Sequence, residues 1–158
     1  MPKILDIIKY PSEDLRKKSV EINSADFKKV EMKKLMADME HTMKKLDGAG
    51  LAAPQIGMNI RLVVIHDEAT KNTIFMLNPK ITKKSWGQEI DDEGCLSVVD
   101  EKGEIIYGPV SRHKKVTCMY FNELGEKKKV QAEKMLARII QHEVDHLDGI
   151  LFIDRLVK

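Results

Sequence analysis

The pentapeptide His142-Glu143-Val144-Asp145-His146 constrains this chain more than any other feature. Residues four apart lie on one face of an α-helix, so both histidines can direct a ring nitrogen at a single divalent ion. Glu143 follows His142, where its carboxylate can reach a water activated by that ion without being a ligand itself. This arrangement favours hydrolysis by a metal-activated water, with Glu143 as the general base.

The surrounding sequence predicts that the pentapeptide lies on a helix. No Pro or Gly interrupts the segment from Ala132 to Asp148, and Gly149 then supplies a C-terminal stop. Glu143 falls on the apolar side of the helical pattern, where a carboxylate is costly unless it has a partner. That placement favours a working site over a surface helix whose histidines are merely solvated. The apolar stripe is formed by Leu136, Ile139, Ile140 and Leu147.

A catalytic metal site usually has three protein ligands, so a third ligand is needed. One class of peptidases has a further histidine six residues after the pentapeptide, but this chain has Phe152 there. The sequence given ends at Lys158, so we expect the third ligand upstream. Cys95 is favoured, because Gly94 lets the backbone approach closely and a thiol beside a cation is readily deprotonated. The other candidates are Cys118, His41, His66, His113 and the acidic residues.

A glycine-rich segment from Gly48 to Gly57 lies between a predicted helix and a predicted strand. It lacks the Lys-Ser/Thr pair of a phosphate-binding loop. Two interpretations stay open. The segment is either a loop that ends the preceding helix, or a bare strand edge that pairs with an extended peptide while Gln55 donates a side-chain hydrogen bond.

Three segments together resemble the motifs of the peptide deformylase family, metallohydrolases that remove the N-formyl group from new polypeptides. The segment Gly48–Gln55 resembles the first motif, Glu93–Ser97 the second and Gln141–His146 the third. They occur in the order found in that family, and the similarity covers nearly the whole chain. The resemblance implies a reaction that hydrolyses the formamide of N-formylmethionyl peptides and releases formate.

The resemblance also implies a role for individual residues. Cys95, His142 and His146 would be the metal ligands, and Glu143 the general base. Gln55 and the Leu96 backbone N–H would lie around the developing oxyanion. The residues expected at the bound peptide are Ala49, Gly50 and Gly94, with Met135 and Ile139 beside an apolar pocket for the methionine side chain.

The ligand types and the resemblance point to different metal ions. One cysteine and two histidines suit Zn²⁺, whereas the resemblance implies Fe²⁺ as the working ion, with Zn²⁺, Ni²⁺ or Co²⁺ as substitutes. Two rival functions remain. A zinc endopeptidase would share the helix motif, and a structural metal site would need a fourth ligand such as Cys118, which would leave Glu143 without a role.

Composition limits the partners. Lys and Arg number 27 against 25 acids, and the resulting net charge of +2 argues against a dedicated nucleic-acid binder. No apolar run is long enough to span a membrane. The two cysteines, one of them wanted by a metal, suit a reducing cytoplasm. Composition thus predicts no specific nucleic acid and no membrane partner, whereas the resemblance implies N-formylmethionyl peptides as substrate and transient ribosome association.

The order of elements predicts an α+β fold in a single domain spanning residues 1–158. Mainly antiparallel strands should pack around the C-terminal metal-binding helix, with an N-terminal helix before them. A short helix is expected near Glu13 to Lys17 and a long one from Ala25 to Leu46, capped by Ser24. The predicted strands are 61–65, 74–78, 88–91, 105–107 and 116–121, with a further one before the motif helix.

Overall fold

The computed structural model describes all residues from Met1 to Lys158. It contains two α-helices, α1 (Val30–Lys45) and α2 (Lys134–Leu147). Short 3₁₀ turns cover Glu13–Arg16, Ser24–Asp26, Ala53–Ile56 and Phe152–Arg155. The strands are β1 (Gly50–Ala52), β2 (Leu62–Asp67), β3 (Asn72–Lys84), β4 (Gln88–Glu93), β5 (Gly108–His113), β6 (Lys115–Phe121) and β7 (Lys127–Glu133).

All paired strands are antiparallel and form two sheets. Five of them make a sheet in the order β1-β2-β3-β6-β7, and β4 and β5 make a separate two-stranded ribbon. The α+β class with mainly antiparallel strands is therefore confirmed. The short strand β1 lies at the edge of the larger sheet, paired only with β2.

The two helices cover opposite faces of the five-stranded sheet. Successive side chains of a strand point to opposite faces, and β2 is apolar on both. Val63 and Ile65 pack in the cluster that includes apolar residues of α2, whereas Leu62 and Val64 pack in the cluster that includes methionines of α1. The motif helix α2 is thereby fixed against the sheet along its apolar stripe.

The N-terminal helix begins later than the sequence indicates. The predicted helix from Ala25 is interrupted, because the 3₁₀ turn Ser24–Asp26 is followed by Lys29 in an extended conformation before α1 starts. The prediction that Ser24 caps the helix is wrong, and the N-cap of α1 has no side-chain hydrogen bond. The buried ring of Phe27 packs on Phe121 at 5.0 Å between centroids, which turns the chain inward at this point.

The predicted strand at 105–107 is also wrong. Ile105 forms only an isolated bridge with Val99, and the strand begins at Gly108 instead. Side chains of this segment lie over Gly94, where an added Cβ would come within 2.6 Å of Tyr107. Pro109 lies opposite Asp92 in the two-stranded ribbon, and its carbonyl accepts a hydrogen bond from the Val157 N–H on the other side of β5.

Two further features of the chain follow from its backbone. Lys134, which begins α2, has a positive φ of 58°. In the left-handed region a residue with a Cβ is disfavoured, so the backbone is strained where α2 begins. No helix has the length and apolar character needed to cross a membrane.

Candidate metal centre

Three potential ligand atoms converge where the loop after β4 meets α2. Cys95 lies just beyond the end of β4, and His142 and His146 lie one turn apart on α2. The His146 Nε2 atom is 3.4 Å from the Cys95 Sγ atom and 3.2 Å from the His142 Nε2 atom. All three side chains are buried, and their ligand atoms lie within 4.8 Å of one another. The structure thus brings these three predicted residues together.

The chemistry of this cluster fits a bound transition-metal ion. A thiol and two imidazoles are the donors that Zn²⁺ and related ions take. The other ring nitrogen of His142, Nδ1, lies 2.8 Å from the Glu93 carboxylate. A carboxylate in that position fixes the tautomer and turns Nε2 toward the cluster, as is common around protein-bound metals. The site can therefore hold a metal ion, through Cys95, His142 and His146.

The other third-ligand candidates that we named lie elsewhere. Cys118 belongs to the apolar cluster of the sheet, where burial raises the pKa of its thiol to about 11. The ring of His66 contacts Glu68 at the surface, and that of His113 contacts the Ser85 carbonyl. None of these three residues is in the cluster.

Glu143 lies beside the cluster in a confined space. It is 4% exposed, its Oε2 atom is 3.9 Å from the His142 Nε2 atom, and its Oε1 atom has no hydrogen-bond partner. Burial raises the pKa of Glu143 to about 7. A buried carboxylate that has one oxygen without a hydrogen-bond partner and lies beside the three potential metal ligands is suited to accept and return a proton.

Gly50 provides the room that Glu143 needs. A Cβ atom at this position would lie 2.7 Å from the Glu143 Oε2 atom, which is too close for any side chain. The glycine-rich segment is therefore more than a helix-ending loop, since it forms the edge strand β1 directly against the carboxylate. The geometry agrees with the strand-edge interpretation of this segment.

Two hydrogen-bond donors lie next to Cys95. The Gln55 side chain is anchored by the Ala52 N–H, which donates to its Oε1 atom at 2.9 Å. Its Nε2 atom donates to the Cys95 Sγ atom at 3.3 Å and to the Ser97 hydroxyl at 3.1 Å. The Leu96 N–H has no acceptor within the chain. Gln55 and Leu96 both help to line the cleft that leads to the cluster.

An open cleft of about 240 Å³ leads to the cluster. Its wall includes every residue that we expected at the bound peptide, namely Ala49, Gly50, Gly94, Met135 and Ile139. Met135 is 54% exposed at the rim, whereas Ile139 is buried. Ile105 and Tyr107, which sequence reasoning assigned to a strand, also line this cleft.

A buried network of charges supports the cluster from behind. The Arg112 guanidinium donates through Nε and a terminal nitrogen to both oxygens of Glu93, each at 2.9 Å. Arg138 donates to the same carboxylate at 2.7 Å, and Arg112 also donates to Asp145 at 2.6 Å. Burial alone would raise the pKa of Glu93, but the hydrogen bonds from Arg112 and His142 outweigh it and hold the pKa well below its usual range.

Sequence reasoning missed this network. Two signals could have pointed to it. Glu93 directly precedes Gly94 and Cys95, and Arg138 lies one turn before His142 on the buried side of α2. No local pattern marked Arg112, because its partners come from two distant elements.

The two histidines have pKa values shifted in opposite directions. Burial alone would lower the pKa of His142, but hydrogen bonds with Cys95 and Glu93 raise it above its usual value. Burial, together with the charge of His142, lowers the pKa of His146 well below its usual value.

Known proteins resemble this chain over its whole length. The model of the polypeptide deformylase family matches residues 4–158. Peptide deformylase 1 of Clostridium acetobutylicum is 42% identical over 155 residues, which cover 98% of this chain and 96% of that protein.

Solved structures agree with the sequence comparison. The crystal structure of a class I type b peptide deformylase from Acinetobacter baumannii with Met-Ala-Ser bound has a TM-score of 0.90 at 31% identity, covering 99% of this chain and 100% of that one. A peptide deformylase from Legionella pneumophila has a TM-score of 0.87 at 38% identity, covering 98% of this chain and 86% of that one. The chain therefore belongs to the peptide deformylase family.

Proposed function

We propose that the protein hydrolyses the N-formyl group of N-formylmethionyl nascent polypeptides and releases formate. The observation that carries this proposal is the buried Cys95, His142 and His146 cluster with the Glu143 carboxylate at its edge and an open cleft in front. Family membership gives the reaction class, and the cleft residues give the means of binding a peptide.

Cys95, His142 and His146 are the ligands of the catalytic ion in this proposal. Three protein ligands leave a coordination position for substrate or water, as catalytic sites require, whereas a structural site would be closed by a fourth. The working ion is Fe²⁺, for which Zn²⁺, Ni²⁺ or Co²⁺ can substitute. When bound, the ion supplies Lewis-acid polarisation of the formyl carbonyl and lowers the pKa of a water.

The protein's own residues then move the proton and stabilise charge. Glu143 accepts the proton of the attacking water and returns it to the departing amine of the methionine. The Leu96 N–H donates a hydrogen bond to the oxyanion that develops on the formyl oxygen, and the Gln55 amide also donates to it by exchanging one of its present acceptors, the Cys95 Sγ atom or the Ser97 hydroxyl, for that oxygen. Because the Leu96 N–H has no acceptor in the chain, it can donate without breaking another hydrogen bond.

The edge strand β1 and the rim of the cleft bind the peptide. The backbone at Ala49 and Gly50 pairs with an extended peptide by strand addition, and Gly94 lies on the opposite side. Met135 and Ile139 supply the apolar wall for the methionine side chain. The deformylase of Acinetobacter baumannii that has Met-Ala-Ser bound supports a peptide of this kind as ligand.

The substrate chemistry also bears on location. An N-formylmethionyl chain emerges from a ribosome, so we place the protein in the cytoplasm in transient association with ribosomes. Its two cysteines are free in the structure, which suits a reducing compartment.

The substitution Glu143→Ala tests the proposed mechanism. We expect a normal metal content and a fall in formate release from a formyl-Met peptide of ~10²–10⁴-fold, because a general acid–base group is lost. Metal content is measured by elemental analysis and formate by a coupled assay. The wild-type enzyme should leave internal peptide bonds of the same substrate intact.

Unchanged formate release in Glu143→Ala would remove Glu143 from the mechanism. A wild-type protein that binds the metal but releases no formate would favour a structural metal site. Cleavage of internal bonds by the wild-type protein would favour an endopeptidase instead.

A further inference from the structure

The only tryptophan of the chain, Trp86, is fully exposed. It lies in the turn between β3 and β4, where its side chain is 100% exposed and has no packing partner. A single exposed apolar residue needs no explanation. An indole that projects entirely into solvent is informative only if its neighbours share a chemistry.

Four exposed lysines surround this turn. Lys83 and Lys84 end β3 immediately before it. Backbone hydrogen bonds hold the turn against the start of β6, because the Ser85 N–H donates to the Lys115 carbonyl and the Lys114 N–H to the Gly87 carbonyl, both at 2.9 Å. Lys114 and Lys115 are therefore held beside the same turn as Lys83 and Lys84.

A hollow of about 470 Å³ adjoins the turn, and lysines outnumber acids in its lining. Lys83, Lys84 and Lys115 line it, together with a single acid, Glu133. Glu133 reaches Lys115 only at 3.9 Å, and both side chains are more than half exposed. A pair this exposed is weak in water, so it neutralises little of the positive potential.

The positive surface continues across the sheet. Lys80 and Lys129 are both in register with Met119, on either side of it. Residues directly opposite one another in antiparallel strands share a face and lie about 5 Å apart. Although the whole chain has a net charge of only +2, Lys80 and Lys129 thus add positive charge to the same sheet that carries Lys83, Lys84 and Lys115, whereas the exposed acids Glu89, Asp91 and Asp92 lie on β4.

We propose that Trp86 and the lysines around it bind single-stranded RNA. Surfaces for single strands combine an aromatic platform, on which a base stacks, with cations that follow the phosphates. Here the indole supplies the platform and Lys83, Lys84, Lys114 and Lys115 supply the cations. Ammonium groups contact phosphates without reading base edges, so binding is independent of sequence.

The RNA surface and the peptide cleft are separate. The strand β4, from Gln88 to Glu93, leads from the turn to the cleft, and its six residues correspond to about 20 Å of extended chain. Neither Trp86 nor any of the four lysines lines the cleft. RNA and a formylated peptide can therefore be bound at the same time, and this proposal does not depend on the proposed function.

Trp86 is its own reporter, because it is the only source of tryptophan fluorescence. Titration with an oligouridylate at low salt should quench its emission without a blue shift, since the indole stacks on a base and stays in water. The logarithm of the binding constant should fall linearly with the logarithm of salt concentration. Trp86→Ala should weaken binding of a labelled oligouridylate about tenfold, and Trp86→Phe should retain most of it.

A matched pair of double variants separates this surface from general charge. Lys83→Gln/Lys84→Gln removes two lysines beside Trp86, whereas Lys33→Gln/Lys34→Gln removes two adjacent exposed lysines of α1. The first should weaken binding and reduce the salt slope by about 0.7 for each lysine, and the second should change neither. Formate release from a short peptide should be unaffected in both.

Three results would overturn the proposal. The first is an absence of quenching at low salt, and the second is equal weakening by the two double variants, which would mean unspecific attraction. The third is a blue shift with anionic phospholipid vesicles but no response to RNA, which would assign the indole and lysines to a membrane surface.

Discussion

The two cysteines of this chain are both buried and free, yet they lie in opposite environments. Cys118 is fully buried among apolar side chains of the sheet and α2. Cys95 is 7% exposed and faces two imidazoles and the Gln55 amide. A buried cysteine thus fills space in the apolar cluster at position 118 and is a candidate metal ligand at position 95. The neighbouring atoms, rather than burial, decide which role a thiol takes.

Helix α2 separates the two regions. Ile140 and Leu147 pack into the apolar cluster, while His142 and His146 face the candidate metal centre. The apolar side is stabilised by removal of carbon surface from water. The polar side buries charges, which is costly unless each charge is paired, and Arg112 and Arg138 provide that pairing.

The largest difference between the two regions is expected when Cys95→Ser and Cys118→Ser are compared in metal content and activity. Cys95→Ser should reduce both metal content and formate release, with activity falling by at least ~100-fold, because even residues that only support a ligand contribute 10–100-fold. Cys118→Ser should keep metal and activity and lose roughly 1–3 kcal/mol of stability, since it buries a hydroxyl among apolar groups. Elemental analysis, formate release and urea unfolding measure the three quantities.

If Cys118→Ser lost the metal while Cys95→Ser retained it, the assignment of the two regions would be reversed. Equal loss in both variants would mean that metal content follows stability rather than ligation.

A second comparison sets the buried ion pairs of Arg112, next to the candidate metal centre, against a partly exposed ion pair of Arg155. Arg112→Leu should destabilise the protein by about 3–5 kcal/mol, because it leaves buried carboxylate charge without its bidentate partner. Arg155→Leu is the matched control, since Arg155 binds the same Asp145 from a position where its side chain is 45% exposed. Its cost should be at most ~1 kcal/mol. Similar unfolding midpoints for the two variants would contradict the view that buried pairing holds the polar region.

The smallest effect is expected at the surface pair Arg16 and Asp154. The hydrogen bond from Arg16 lowers the pKa of the Asp154 carboxyl. A lowered pKa contributes stability above the unfolded value and loses it as the pH falls through the folded value. Because both side chains are more than a third exposed, Arg16→Leu should cost at most ~1 kcal/mol at pH 7.

Measurement at two pH values checks the sign of this effect. The difference in unfolding free energy between wild type and Arg16→Leu should be larger at pH 7 than at pH 3, and smaller in high salt. A difference that grows as the pH falls would contradict the assignment.

Much of the fold could be predicted from local patterns. The motif helix was expected within 132–148 and occupies Lys134–Leu147, because its apolar spacing and flanking residues act within one segment. The strand at 116–121 was found for the same reason. The prediction of a strand at 105–107 was wrong, because the apolar side chains of Ile105 and Tyr107 line the cleft and lie over Gly94. Their apolar character therefore does not reflect pairing in a sheet.

The candidate site was only partly predictable. His142 and His146 are four residues apart, so helical geometry alone brings them together. Cys95 was favoured from the residues and then implied by the family pattern. The contacts of Glu93 with Arg112 and Arg138 join three distant elements. The sequence places Glu93 beside Cys95 and Arg138 one turn before His142, but it does not show which side chains pair with each other.

X-ray absorption spectroscopy on the zinc-loaded protein tests the central claim most directly. Ligation by Cys95, His142 and His146 predicts one sulfur at about 2.3 Å and two imidazole nitrogens at about 2.0–2.1 Å from the ion. The sulfur contribution should disappear in Cys95→Ser and persist in Cys118→Ser. A spectrum of the wild-type protein with no sulfur neighbour, or with two, would contradict the account.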